Sequence, residues 1–196
     1  MSDDHGSSVI SAQVRHVEAL LETRGLLDAG EIDTRIDEFL AGGSPANGAR
    51  IVARAWVDPA FTARLLADAN SAIRELGLSM AGGLQEQRLK VVANTEHEHN
   101  VVVCTLCSCY PIALLGPSPS WYKSEAYRSR VVRDPRGVLG EFGLELPAGT
   151  SVAVWDASAE SRYMVLPRRP AGTEQLTEEE LTPLVTRKGL IGTAVV

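Results

Sequence analysis

All three cysteines of this chain fall within six residues, Cys104-Thr105-Leu106-Cys107-Ser108-Cys109, and no other feature restricts what the chain can fold around as tightly. A CxC nested in CxxCxC places three sulfurs and two intervening amide nitrogens around one point. If the Ser108 and Cys109 amides lose their protons, the Cys107 sulfur, the two nitrogens and the Cys109 sulfur close rings of six, five and five members on one ion. Such rings lie flat with little strain, and Cys104 then approaches from one side. The position opposite Cys104 has no local donor and stays open, as a catalytic metal requires. Three thiolates and two amidates carry five negative charges, which favours a low-spin trivalent cobalt or iron ion over a divalent one.

A structural zinc site competes with that reading. CxxC is the commonest zinc-knuckle spacing, and His97 or His99 could supply a fourth ligand. Zinc sites more often pair two separated ligand units, however, and CxC crowds a tetrahedral ion. Spacing alone leaves both readings open. A disulfide framework suits the chain poorly, because the cysteine count is odd.

With 196 residues, 44% hydrophobic and 22% charged, the chain can bury a sizeable core as one main domain with an appendage. A net charge of −6 argues against a nucleic-acid partner, which would need a clustered basic surface. The start, MSDDHGSSVI, lacks a basic stretch followed by an apolar run, and no segment approaches a membrane span. A cytoplasmic protein is expected, where thiols meet a metal before they oxidise.

Apolar residues recur at helical spacing at Val14, Val17, Leu20 and Leu21 after a candidate cap, Ser11, and again at Ile32, Ile36, Phe39 and Leu40 beyond a break at Gly25. Asn47 to Trp56 reads as a third helix, and Asp58 caps a fourth running through Phe61, Leu65 and Ile73 to Gly77. Residues 1–77 are therefore expected to form a helical arm packed on a partner, and residues 78–196 a metal-binding α/β domain. After Gly82-Gly83, Leu89–Ala93 and Asn100–Cys104 carry the β-branched bias of strands. Pro111, Pro117 and Pro119 are expected to hold the next stretch out of regular structure. Helices follow over Ser124–Val132 and Pro135–Phe142, then a strand pair at Val152–Trp155 and Arg162–Leu166, then a late helix capped by Thr177. The fold class is α+β, with no internal repeat.

The segment VVVCTLCSCYP, followed by SWYKSEAYRSRVVRDPRGVLGEFG and VWDASAESRYMVLPRRPAGTEQLTEEELTPLVTR, closely resembles the alpha subunit of nitrile hydratase. The resemblance extends upstream through NGARIVARAWVDPAFTARLLADA and covers roughly residues 10 to 196. It implies an N-terminal helical arm followed by a layered α/β/β/α domain, and hydration of a nitrile to an amide. Thr105, where the iron-binding branch carries serine, resembles the cobalt-binding branch, so non-corrin Co(III) is implied ahead of iron. The gamma subunit of thiocyanate hydrolase shares the motif. A non-enzymatic zinc-binding interaction module is the alternative from a different class.

Carried over position by position, the resemblance makes Cys104, Cys107 and Cys109 sulfur ligands, and Ser108 and Cys109 amide-nitrogen ligands. It implies that Cys107 is oxidised to the sulfinate and Cys109 to the sulfenate while Cys104 stays a thiolate. Oxygen on sulfur withdraws charge from an over-rich donor set and sharpens Lewis acidity at the open position. Attack on the nitrile carbon by water and by the Cys109 sulfenate oxygen both remain open. The Ser108 hydroxyl is expected to hydrogen-bond within the claw, and Gln85 to stand near the metal water. Arg162 aligns with an arginine that reaches toward the subunit interface; a solvated strand-face charge is its plainer reading. His97 and His99 are assigned no ligand role, and Trp121 and Tyr122 are read as packing and interface aromatics. Most cobalt-type relatives continue CSCYP with Trp-Pro, whereas this chain has Ile112-Ala113, which implies a roomier pocket for a bulky or heteroaromatic nitrile. The implied partners are a beta subunit, split into two chains in some relatives, and an activator protein that delivers the metal.

Overall fold

Side-chain caps set where most of the helices begin. The computed structural model describes residues 4–81, 85–107 and 109–196. Helices α1 (Asp4–Thr23) and α2 (Glu31–Ala41) flank Gly25, whose φ of 65° lies in the left-handed region that ends a helix. Ser11, expected as a cap, lies inside α1. Helix α3 (Pro45–Val57) starts from Ser44, whose side chain accepts from the Ala46 N–H, with proline at its head. The single helix expected from Asp58 to Gly77 is two, α4 (Pro59–Ala67) and α5 (Ala69–Arg74). Asp68 causes the break: its carboxylate accepts from the Ser71 N–H and starts the second helix afresh.

Strands β1 (Arg88–Ala93) and β2 (Glu98–Val103) fall where β-branched residues cluster, and β2 runs directly into Cys104. The proline-rich stretch beyond the cysteines is not irregular throughout, because Pro111 heads a one-turn helix, α6 (Ile112–Leu115). Helices α7 (Glu125–Arg130) and α8 (Pro135–Glu141) are capped by Ser124 and Asp134, followed by β3 (Ser151–Asp156) and β4 (Ser161–Leu166). Helix α9 (Glu178–Leu181) carries a full capping box between Thr177 and Glu180, and α10 (Arg187–Ile191) closes the chain.

β3 and β4 do not pair with each other, contrary to the expectation from their alternation. Each instead joins a strand from before the cysteines: β4 runs parallel to β1 with Arg88 opposite Ser161, and β3 parallel to β2 with Val103 opposite Asp156. Three successive residues of β4, Met164, Val165 and Leu166, are buried, a continuous run typical of a parallel strand covered on both faces. Helices α4 and α5 pack on β1, α8 on β3, and α10 on β4 and β2, giving the α+β architecture with helices against both small sheets.

The chain divides into two compact units, Met1–Phe39 and Leu40–Val196. The division falls well before residue 77, because Ile51, Phe61, Leu65 and Ile73 of α3 to α5 are buried in one core with Leu89, Val101, Leu139 and Met164. Each such side chain contributes about 1.5–3 kcal/mol by leaving water, so these helices are committed to the second unit. In the first unit Val9, Ile10, Val14, Val17 and Leu20 leave an apolar face of α1 exposed. No helix among the described residues is long and apolar enough to cross a membrane.

The chain's end is locked onto β2. His99 is buried, its Nε2 lying 2.7 Å from the Gly192 carbonyl oxygen and its Nδ1 3.2 Å from Asn94 Nδ2. Those partners fit a neutral ring that donates from Nε2 and accepts at Nδ1. Burial lowers its pKa below the ordinary 6.5 despite the Gly192 contact, so the unfolded chain binds the extra proton first. This stability is full above pH ~6.5 and is lost as pH falls toward the depressed folded value; urea unfolding at pH 7.5 and 5.5 should show it, and His99→Gln should flatten that slope. Gly192 itself has φ 89°, and a Cβ there would stand 2.0 Å from the Asn100 carbonyl oxygen. Gly192→Ala is expected to lower the unfolding midpoint by at least the ~1–3 kcal/mol of the strained conformation.

Candidate metal centre

The three sulfurs converge. Cys107 Sγ lies 3.4 Å from Cys104 Sγ and 3.2 Å from Cys109 Sγ, and all three lie within 4.8 Å of one another. The Cys107 N–H also points at Cys104 Sγ, at 3.4 Å. Exposure is graded: Cys104 is 1% exposed at the floor, Cys109 is half-buried and Cys107 is exposed at the rim. Burial, and then the neighbouring Cys107 thiol, push the Cys109 thiol up to about 12, while the positive charge of Arg162 pulls the other way. The bare Cys109 thiol therefore keeps its proton at neutral pH, and a cation must displace it to gain that sulfur as an anionic ligand.

Four side chains hold the intervening backbone. Asp156, at the end of β3, accepts from the Thr105 N–H at 2.9 Å and from the Thr105 hydroxyl at 2.6 Å. The register places it there, since Asp156 stands opposite Val103, two residues before Thr105. The Tyr122 hydroxyl donates to the Cys109 carbonyl at 2.9 Å, and the Tyr127 hydroxyl to the Val102 carbonyl at 2.7 Å. Burial raises both phenols well above their ordinary range, so they remain donors. Arg128 Nη1 donates to the Cys107 carbonyl at 3.2 Å.

Arg162 is 8% exposed, so it is not a solvated strand-face charge. Its guanidinium bonds the Ser158 carbonyl, and the Ala159 carbonyl at 3.1 Å, inside the turn between β3 and β4. From that turn its charge acts on Cys109. Among the described residues only the three cysteines gather as potential ligands. His97 is exposed, and His99 is engaged with Gly192 and Asn94. Gln85 is exposed, and among the described residues no hydrogen bond ties it to the sulfurs. Ile112 begins α6, three residues beyond Cys109, and is half-buried against the core. Trp121 packs its ring against Phe142 at 4.6 Å and Tyr127 at 5.0 Å, a packing role as expected. Ser108 and residues 82–84 lie outside the described residues, and with them the Ser108 nitrogen and hydroxyl.

Asp156 and Arg128 escaped the sequence reading, and Tyr122 was read only as a packing aromatic. The available signal was an aspartate ending an apolar strand, in VWD, and strand ends commonly carry aspartate for turn chemistry alone.

Three convergent sulfurs, joined by no imidazole among the described residues, set at the carboxyl end of a parallel strand and braced by charged and phenolic groups, define a cysteine-ligated metal-binding subunit. The chain belongs to the nitrile hydratase alpha-chain family, whose description, "Nitrile hydratase, alpha chain", matches residues 8–194. It is 54% identical over 186 residues to the low-molecular weight cobalt-containing nitrile hydratase subunit alpha of Rhodococcus rhodochrous, covering 95% of this chain and 88% of that one. It is 44% identical over 159 residues to the thiocyanate hydrolase subunit gamma of Thiobacillus thioparus, covering 77% and 65% respectively. Among solved structures, a double mutant of the Fe-type nitrile hydratase from Comamonas testosteroni Ni1 superposes with a TM-score of 0.86 at 40% identity, over 96% of this chain and 90% of that one.

Removing the Asp156 brace should loosen the claw without emptying the core. Asp156→Ala is expected to weaken metal retention about tenfold, measured as the rate of loss to a chelator, while the far-UV circular dichroism stays unchanged.

Proposed function

We propose that this chain is the alpha subunit of a cobalt-dependent nitrile hydratase that converts a nitrile to its amide. The convergence of three sulfurs within 4.8 Å, with no histidine joining them among the described residues, carries the reading. It favours a sulfur-rich, trivalent centre over a tetrahedral sulfur and imidazole site. Cys104, Cys107 and Cys109 would hold the ion through sulfur, and Ser108 and Cys109 through amide nitrogen. When bound, the metal would supply the Lewis acidity that polarises a nitrile nitrogen.

The chain's own residues do the rest. Tyr122, Tyr127 and Asp156 fix the loop so that the open side keeps its shape. Cys107 and Cys109 would carry the sulfinate and the sulfenate, consistent with their greater exposure. Buried Arg162 offers positive charge beside Cys109, and Gln85 would orient water from the segment that follows residue 84. Ile112, where a tryptophan would fill the wall, would admit a bulky or heteroaromatic nitrile.

The exposed apolar face of α1 supports a partner subunit, a beta chain or its split equivalent, with the N-terminal helices as the embracing arm. We place the assembled enzyme in the cytoplasm, with an activator protein delivering the metal and trivalent cobalt preferred to iron.

Coproduction with the neighbouring coding regions in cobalt medium tests this directly. Cobalt in the purified complex, two added oxygens on Cys107, one on Cys109, and amide formation from a nitrile are expected. Carbonyl sulfide release from thiocyanate would instead assign the thiocyanate hydrolase reaction. Zinc with unmodified cysteines would sink both. Ile112→Trp should depress turnover of large nitriles selectively, and an equal effect on acrylonitrile would refute the steric account.

A further inference from the structure

The groups that brace the claw differ in charge. Tyr122 and Tyr127 are neutral donors on the Cys109 and Val102 carbonyls, whereas the donor on the Cys107 carbonyl, between them, is the Arg128 guanidinium. Arg128 is half-buried, and among the described residues it has no carboxylate within ion-pair range. Other arginines of the chain that carry ion pairs, Arg64 with Glu75 and Arg130 with Glu141, are spent on carboxylates. A half-buried cation without a carboxylate is costly unless an anionic group faces it. The acceptor that its guanidinium bonds among the described residues is the Cys107 carbonyl, at 3.2 Å.

We propose that Arg128 is a positioning residue for the metal claw, fixing the peptide unit that begins at the Cys107 carbonyl. This rests on the assignment of the Ser108 nitrogen as a ligand. The Cys107 carbonyl belongs to the same peptide unit as that nitrogen, and the two share electrons by resonance. When the nitrogen serves as an anionic donor, its charge spreads onto the oxygen that Arg128 holds, and a charge-assisted hydrogen bond there is about twice as strong as a neutral one. Arg128 also lines a hollow of about 290 Å³ with Thr105, Glu125, Ser129, Val132 and Arg133, which brings Arg133 close enough to serve as a control for charge alone.

The test uses the coproduced holo-complex carrying Arg128→Gln, Arg128→Lys or Arg133→Gln. Three quantities are read: cobalt per chain, the rate of cobalt loss to a chelator, and the energy of the sulfur-to-metal absorption band. Arg128→Gln is expected to lose cobalt about tenfold faster and to shift the band. Arg128→Lys keeps the charge without the fork, so its band stays near wild type while cobalt leaves faster. Arg133→Gln matches wild type in all three. An Arg128→Gln complex with wild-type loss rate and band overturns the proposal, as does an equal effect from Arg133→Gln. Should Arg128→Gln fail to assemble, Arg128→Lys decides alone, and a wild-type loss rate there overturns the proposal. Failure of the nitrile hydratase reading would appear in the wild-type complex, as zinc or as absent amide formation, whereas failure of this one appears only between variants.

Discussion

Three sulfur atoms that repel one another once ionised are kept within one ion's reach by hydrogen bonds to the backbone around them, and the rest of the site follows from that restraint. A loop this short has no core of its own, and two of its cysteines lie at or near the surface. Its shape is borrowed from strand ends and from a buried aromatic cluster in which Tyr122 touches Tyr110 and Tyr127. Each brace bonds a main-chain group and, as with Thr105, also a side-chain hydroxyl on the loop.

Parallel pairing makes the arrangement possible. Because β2 and β3 run the same way with Val103 opposite Asp156, both strands finish at one end, where the cysteines leave the first and the aspartate ends the second. An antiparallel hairpin of β3 and β4 would have carried Asp156 away from β2. The short 157–160 connection instead switches sheets, and the turn it makes houses the Arg162 guanidinium. Sites at the carboxyl ends of parallel strands recur for this reason: loops from neighbouring strands meet there.

The sulfur cluster and most of the helices could be read from sequence, because chelate spacing and capping residues act over a few positions. Ser44, Asp58, Asp134 and Thr177 each cap the helix they head, whereas Asp68 restarts the chain inside a stretch whose apolar spacing reads as one helix from Asp58 to Gly77. Strand partners were not legible. Alternation in β3 and β4 shows which side chains turn inward and says nothing of which strand lies alongside. The braces were illegible for the same reason, since the bond from Asp156 to Thr105 spans 51 positions. The placement of residues 40–77 in the main core, rather than in an arm, likewise depends on contacts of α4 and α5 with β1 and of α3 with helices α6, α9 and α10 beyond the cysteines.

The two ladders also impose an order of events during synthesis. β1 and β2 leave the ribosome early, yet their partners begin only at Ser151 and Ser161, and the Gly192 carbonyl that receives His99 comes later still. Until then the nascent chain presents three thiols on an unbraced loop, with no aspartate alongside and no closing tail. A finished cage therefore postdates translation of both later strands and of the turn at Gly192.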